Sequence, residues 1–200
     1  MEEDVYKTCV DISEGLYKEK GSKFISFLYP VNSEDQIKDI LKEINKKYYD
    51  ARHRCFAYML GPKKIVYRSS DDGEPSSTAG KPILGQILSK ELTDVLIVVI
   101  RYFGGVKLGV SGLINAYKTA AASAIANNNI IEKTVDCRVK VSFTYSQMNE
   151  VMKIVKDMDV DVEERNFEIS CEMILSIRQL YFEQLCQRLN NIPFLTLEEL

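Results

Sequence analysis

A chain of 200 residues, 46% hydrophobic and 28% charged, is long enough for one large or two small domains with a true core. Its net charge of −3 makes no global electrostatic case for nucleic acid, and its longest apolar run, VLIVVI at 95–100, is far too short to cross a bilayer. Five cysteines, an odd number with no CxxC pair, read as reduced and mostly buried; with an acidic start, MEEDVYKTCV, lacking a signal-peptide layout, they make a cytoplasmic location and no membrane partner the expectation.

Residues 5–29 hold two strand-like runs around the turn EKGSKF. After Pro30, Ser33 and Gln36 form a capping-box pattern, and Ile37, Ile40, Leu41 and Ile44 follow at helical spacing. HRCFAYML and KIVYRSS flank GPKK as a hairpin, and the polar loop 69–80 follows. Pro82 suits the first turn of a short helix carrying Ile83, Leu84, Ile87 and Leu88. LTDVLIVVIRYF does not alternate, so it predicts a strand buried on both faces. A glycine-rich turn then leads, from about Ser111, into an alanine-rich helix able to lie close on a sheet, with Asn127 to Asn129 as its left-handed stop.

The pattern restarts after Asp136. CRVKVSFTY predicts a strand, Ser146 an N-cap, and Val151, Val155 and Met158 a helical stripe. VDVEERNFEI and SCEMILSI predict strands on either side of a turn. RQLYFEQLCQRL predicts a helix with Tyr181, Leu185 and Leu189 on one face, and IPFLTLEEL closes the chain. The order βαββαβ is that of a ferredoxin-like domain. The expectation is therefore an α+β protein with domains at 1–136 and 137–200. The first carries 19 Lys and Arg against 18 Asp and Glu, the second 7 against 11, so any anion contact belongs to the first.

The glycine turn Gly104, Gly105, Val106, Lys107, Leu108, Gly109 fits neither the Walker A spacing nor GxGxxG, so no tight nucleotide and no cofactor is expected. Backbone amides near a helix start, with Arg101 and Lys107 close by, still favour an anion; the same glycines also serve a sharp turn and close packing. Asp71, Asp72 and Glu74, bracketed by Arg68 and Lys81, could hold Mg²⁺ or form a solvated turn whose side chains cap local amides; the turn is favoured and no metal is expected. His53 is the only histidine, which rules out multi-histidine zinc sites and favours a structural or interface role over pairing with Cys55. No GxSxG motif or triad is present.

EKGSKFIS, ARHRCFAYML, RSSDDGEPSSTAGKPIL and VVIRYFGGVKLGVSGLINAY, in order over residues 18–120, resemble the signature blocks of the IMPACT/YigZ family. The resemblance implies a first domain with a left-handed βαβ crossover, like the second domain of a small-subunit ribosomal protein. It implies a tail like the last domain of elongation factor G. Eukaryotic IMPACT adds an RWD domain through which it influences a translation-control kinase pathway. Two domains in 200 residues leave no room for it, so the bacterial YigZ-like form is expected. By resemblance the blocks single out Lys20, Ser22, Phe24, His53, Cys55, Ser69, Asp71, Asp72, Gly73, Glu74, Pro75, Ala79, Gly80, Arg101, Tyr102, Gly104, Gly105, Lys107, Gly109 and Gly112, without a catalytic role.

The expected function is binding rather than catalysis: RNA or ribosome-associated proteins met by Arg68, Lys81, Arg101, Gly104, Gly105 and Lys107, in a cleft organised by His53, Ser69, Asp71, Asp72 and Glu74. The alternatives are a phosphate- or metal-dependent hydrolase using Asp71, Asp72 and Glu74, and a protein-interaction module.

Overall fold

The computed structural model describes residues 4–167 and 171–200. The chain begins with β1 (Val5–Cys9), β2 (Ser13–Glu19), β3 (Ser22–Pro30), α1 (Glu34–Lys47), β4 (His53–Leu60) and β5 (Val66–Ser70). It continues with α2 (Gly80–Ser89), β6 (Val95–Tyr102), α3 (Gly109–Ala126) and β7 (Ile130–Thr134). The last third holds β8 (Asp136–Phe143), a 3-10 turn (Tyr145–Gln147), α4 (Met148–Asp157), β9 (Asp161–Asn166), β10 (Cys171–Arg178), α5 (Gln179–Asn190) and β11 (Thr196–Glu199).

The non-alternating run becomes β6, the middle of a five-stranded antiparallel sheet ordered β2-β3-β6-β4-β5. Val95 to Ile100 are all fully buried, each such side chain contributing about 1.5–3 kcal/mol. Alternate residues serve two cores: Val95, Ile97 and Val99 meet α2 and α3, whereas Leu96, Val98 and Ile100 meet α1. Because β3 and β4 both pair antiparallel with β6, they run parallel to each other, joined by α1. Ile37 and Ile44 of α1 are buried, with Ile40 and Leu41 packed beside them, and the Ser33 hydroxyl caps the Gln36 N–H. On the other face, α3 comes close enough for Ser26 and Ser13 to donate to the carbonyls of Ala120 and Ala124 at 2.6 and 2.7 Å, an approach that alanines permit.

The second sheet has the order β11-β8-β10-β9, all antiparallel, with the first and third strands of its βαββαβ at the centre, as a ferredoxin-like domain requires. Val139, Val141, Met173 and Leu175 face Val151, Ile154, Leu185 and Leu189 from α4 and α5.

Several details differ from the sequence reading. The first strand run splits into β1 and β2, and β1 pairs with β7 in a separate two-stranded sheet. Asn127 ends α3 at φ −88, so no left-handed asparagine makes the stop; instead Asn127 and Asn128 donate to the carbonyls of Glu14 and Asp11. Thr144, not Ser146, makes the capping box, with Gln147. Tyr181 is exposed. α3 begins at Gly109 rather than near Ser111. Residues 168–170, at the ends of two expected strands, lie outside the described residues.

The described residues separate into two compact units, residues 6–133 and the rest of the chain from 134 onward together with Asp4 and Val5. Asp4 joins the latter because its carbonyl accepts the Val135 N–H at 2.7 Å and its carboxylate takes two hydrogen bonds from Arg178.

Candidate anion-binding cleft

The acidic loop between β5 and α2 is built from its own carboxylates. α2 starts at Ala79 without a side-chain cap, and Asp71 supplies one from a distance: its carboxylate accepts the N–H groups of Ser77, Ala79 and Gly80 at 2.8, 3.0 and 2.8 Å. Burial alone would raise the Asp71 pKa, but these three donors, with Lys81, hold it below the usual carboxylate value. Asp72, at φ 40, accepts the Arg54 N–H at 2.7 Å, and its side chain lies 3.7 Å from the Arg54 guanidinium. Its carbonyl faces His53 Nδ1 at 2.7 Å. A carbonyl only accepts, so Nδ1 carries the proton and Nε2 is left for other partners.

Glu74 is the buried member, its side chain 3% exposed. Oε1 accepts Arg101 Nη1 at 2.6 Å and the Tyr117 hydroxyl at 2.9 Å, with His53 Nε2 farther away at 3.8 Å. Arg101, 7% exposed, lies 5.5 Å from the Phe24 ring and 5.6 Å from the Phe103 ring, and its Nε is buried without a hydrogen-bond partner. Cys55 turns its thiol to the Asp71 carbonyl at 3.0 Å and the Tyr117 hydroxyl at 3.4 Å, instead of towards His53. Burial pushes the Cys55 thiol and the Tyr117 phenol far above their ordinary pKa values, so neither serves as a ready nucleophile. Among the described residues, no group of three or more His, Cys, Asp and Glu is gathered to hold a metal ion.

The glycine turn is shaped first by packing. A Cβ on Gly104 would lie 1.9 Å from the carbonyl carbon of Gly21 in the β2–β3 turn, and the Gly104 N–H donates to the Ser22 hydroxyl at 3.2 Å. Gly105 sits at φ +88 in open space, where the backbone angle and not crowding favours glycine. The turn delivers the chain to Gly109, where α3 begins with no side-chain cap on its first N–H groups.

The start of α3 borders a cleft of about 500 Å³. Arg52, His53, Arg101 and Lys107 line it, together with Glu74, Phe103 and the first turn of α3. Of the expected anion-binding residues, Arg101 and Lys107 meet here. Gly104 and Gly105 shape the turn, while Arg68 and Lys81 do not line the cleft: Arg68 sits exposed on β5 opposite Tyr58, and Lys81 sits in the first turn of α2. Of the expected organisers, His53 and Glu74 line it, Asp71 and Asp72 brace the loop, and Ser69 pairs opposite Ala57 on β5. Glu74 is matched with Arg101 and Asp72 with Arg54, not with the flanking Arg68 and Lys81. Arg52, Phe103 and Tyr117 were missed by sequence reasoning. The basic run ARHR was the signal for the first, and a lone tyrosine in an alanine-rich helix for the last.

The Impact N-terminal domain model matches residues 20–125. IMPACT family member YvyE of Bacillus subtilis is 31% identical over 151 residues, covering 76% of this chain and 70% of that protein. IMPACT family member YigZ of Escherichia coli is 31% identical over 142 residues, covering 70% of each. A solved crystal structure of a hypothetical protein superposes with a TM-score of 0.75 at 23% identity, covering 98% of both chains, and so shares the fold.

Proposed function

The chain belongs to the IMPACT family, and from that premise we propose that it is a non-enzymatic binding protein whose cleft takes RNA or a phosphate-bearing surface of the translation machinery, contributing to translation regulation. The second half of the reading rests on family membership, which by resemblance implies an influence on translation control. The observation that carries the first half is local charge. Arg52 and Lys107 converge with the uncapped start of α3, although the whole chain is acidic, and the cleft's carboxylate, Glu74, is already matched by Arg101. The three carboxylates a hydrolase would use hold N–H groups and arginines in place. The protein would work in the cytoplasm without a cofactor.

RNA affinity measured across a salt series tests this. Each phosphate contact contributes to the slope of log affinity against log salt, so Lys107→Ala should weaken binding and reduce that slope by about one. ATP should bind no better than simple polyphosphate, because the turn lacks phosphate-wrapping spacing. Superimposable curves for wild type and variant would assign the turn to packing alone.

A further inference from the structure

Resting on that anion-binding reading, we infer that the cleft receives one unstacked nucleotide of a single-stranded nucleic acid, its phosphate towards Lys107 and α3 and its base against Phe103 and Val110. Phosphate recognition alone leaves half of the cleft unexplained. Phe103 is 46% exposed and Val110 60% exposed, both on the lining, beside Pro75, Leu108 and Leu113. A flat apolar group would cover them, and every base has such a face. A volume of about 500 Å³ falls within the range of sites that enclose a small molecule. A duplex keeps its bases stacked inside and could touch only the rim.

Hydrogen-bonding inventory points the same way. Arg52, Lys107 and the first N–H groups of α3 are donors only. Glu74 already accepts from two side chains. A phosphodiester brings acceptors alone and suits this wall. A peptide would bring backbone N–H groups that find few acceptors. His53 Nε2, left an acceptor once Nδ1 donates to the Asp72 carbonyl, can take a hydrogen bond from the N–H edge of a base.

The test uses the full chain with four fluorescent probes: a single-stranded RNA, the same strand without bases, the corresponding duplex, and an acidic peptide. The single strand should bind about tenfold more tightly than the abasic strand or the duplex. Phe103→Ala should erase that difference, and Lys107→Ala should weaken base-bearing and abasic strands alike. Val110→Ser, on an exposed helix position, should reproduce the Phe103 effect if circular dichroism shows Phe103→Ala to be misfolded. Equal, Lys107-dependent affinity for all three nucleic acids would overturn the nucleotide subsite and leave the anion reading standing. Binding of the peptide with no nucleic acid bound would overturn both.

Discussion

Replacing Glu74 by Gln removes one charge from the most enclosed part of the first unit while keeping the side chain's shape. In the native protein its carboxylate meets Arg101 at 2.6 Å and Tyr117 at 2.9 Å, with the two ionic side chains 3% and 7% exposed. At an effective dielectric constant of about 20 that attraction is about 6 kcal/mol, most of it offset by the cost of desolvating both ions. Removing one partner leaves the other cost in place: Arg101 stays charged and buried, supported only by the Phe24 and Phe103 rings and whatever hydrogen bond the amide oxygen retains. Glu74→Gln should therefore destabilise the unit by about 3 kcal/mol, or roughly 10 °C in melting temperature. The chain has no tryptophan, so urea titration is best followed by far-UV circular dichroism. The double variant Glu74→Gln with Arg101→Met should recover most of the loss, because the orphaned charge is gone. A single variant within about 0.5 kcal/mol of wild type, or a double variant losing the sum of both single changes, would refute the reasoning.

Asp71→Asn should cost about 1–2 kcal/mol through the weakened cap of α2. Because the folded pKa of Asp71 is depressed, its contribution is present above the unfolded value near 3.9 and disappears as pH falls through the folded value; wild type and variant should therefore begin to draw together near pH 4 and converge only below that lower value. Gly104→Ala should be more damaging than Gly105→Ala in thermal melts, since the first forces backbone apart at 1.9 Å and the second asks only for a left-handed alanine, at about 1–2 kcal/mol. Calorimetric titration with Mg²⁺ or Mn²⁺ should find nothing tighter than the millimolar range, about −4 kcal/mol, and micromolar binding abolished by Asp72→Asn would restore the hydrolase reading.

What could be read in the chain was whatever depends on near neighbours. VLIVVI shows its two-sided burial by failing to alternate, and Ile37, Ile40, Leu41 and Ile44 show the buried stripe of α1 by spacing alone. The resemblance in residues 18–120 placed His53, Glu74, Arg101 and Lys107 among the residues that matter together, and they share one cleft. Pairing across distance was hidden. Glu74 lies 27 residues from Arg101, and Asp72 lies 18 from the Arg54 N–H, whereas Arg68 and Lys81 are close in sequence and tempting. Nothing local showed that Gly104 rests on Gly21, a contact that arises only after the sheet has assembled, and no standard cap spacing showed that Asp71 reaches six to nine residues forward to cap α2.

The lining of the cleft comes from the start of β4, the acidic loop, the end of β6 and the first turn of α3, so no continuous peptide cut from this chain can reproduce it. Fragment arrays and short synthetic segments carrying the glycine turn would present the right residues without the concavity. The same dispersal makes any molecule that seats there a ligand of the folded state alone. Present at a hundred times its dissociation constant, such a ligand would raise the stability of the unit by about 2.7 kcal/mol. Thermal denaturation thus offers a way to search for it that presumes nothing about its chemistry.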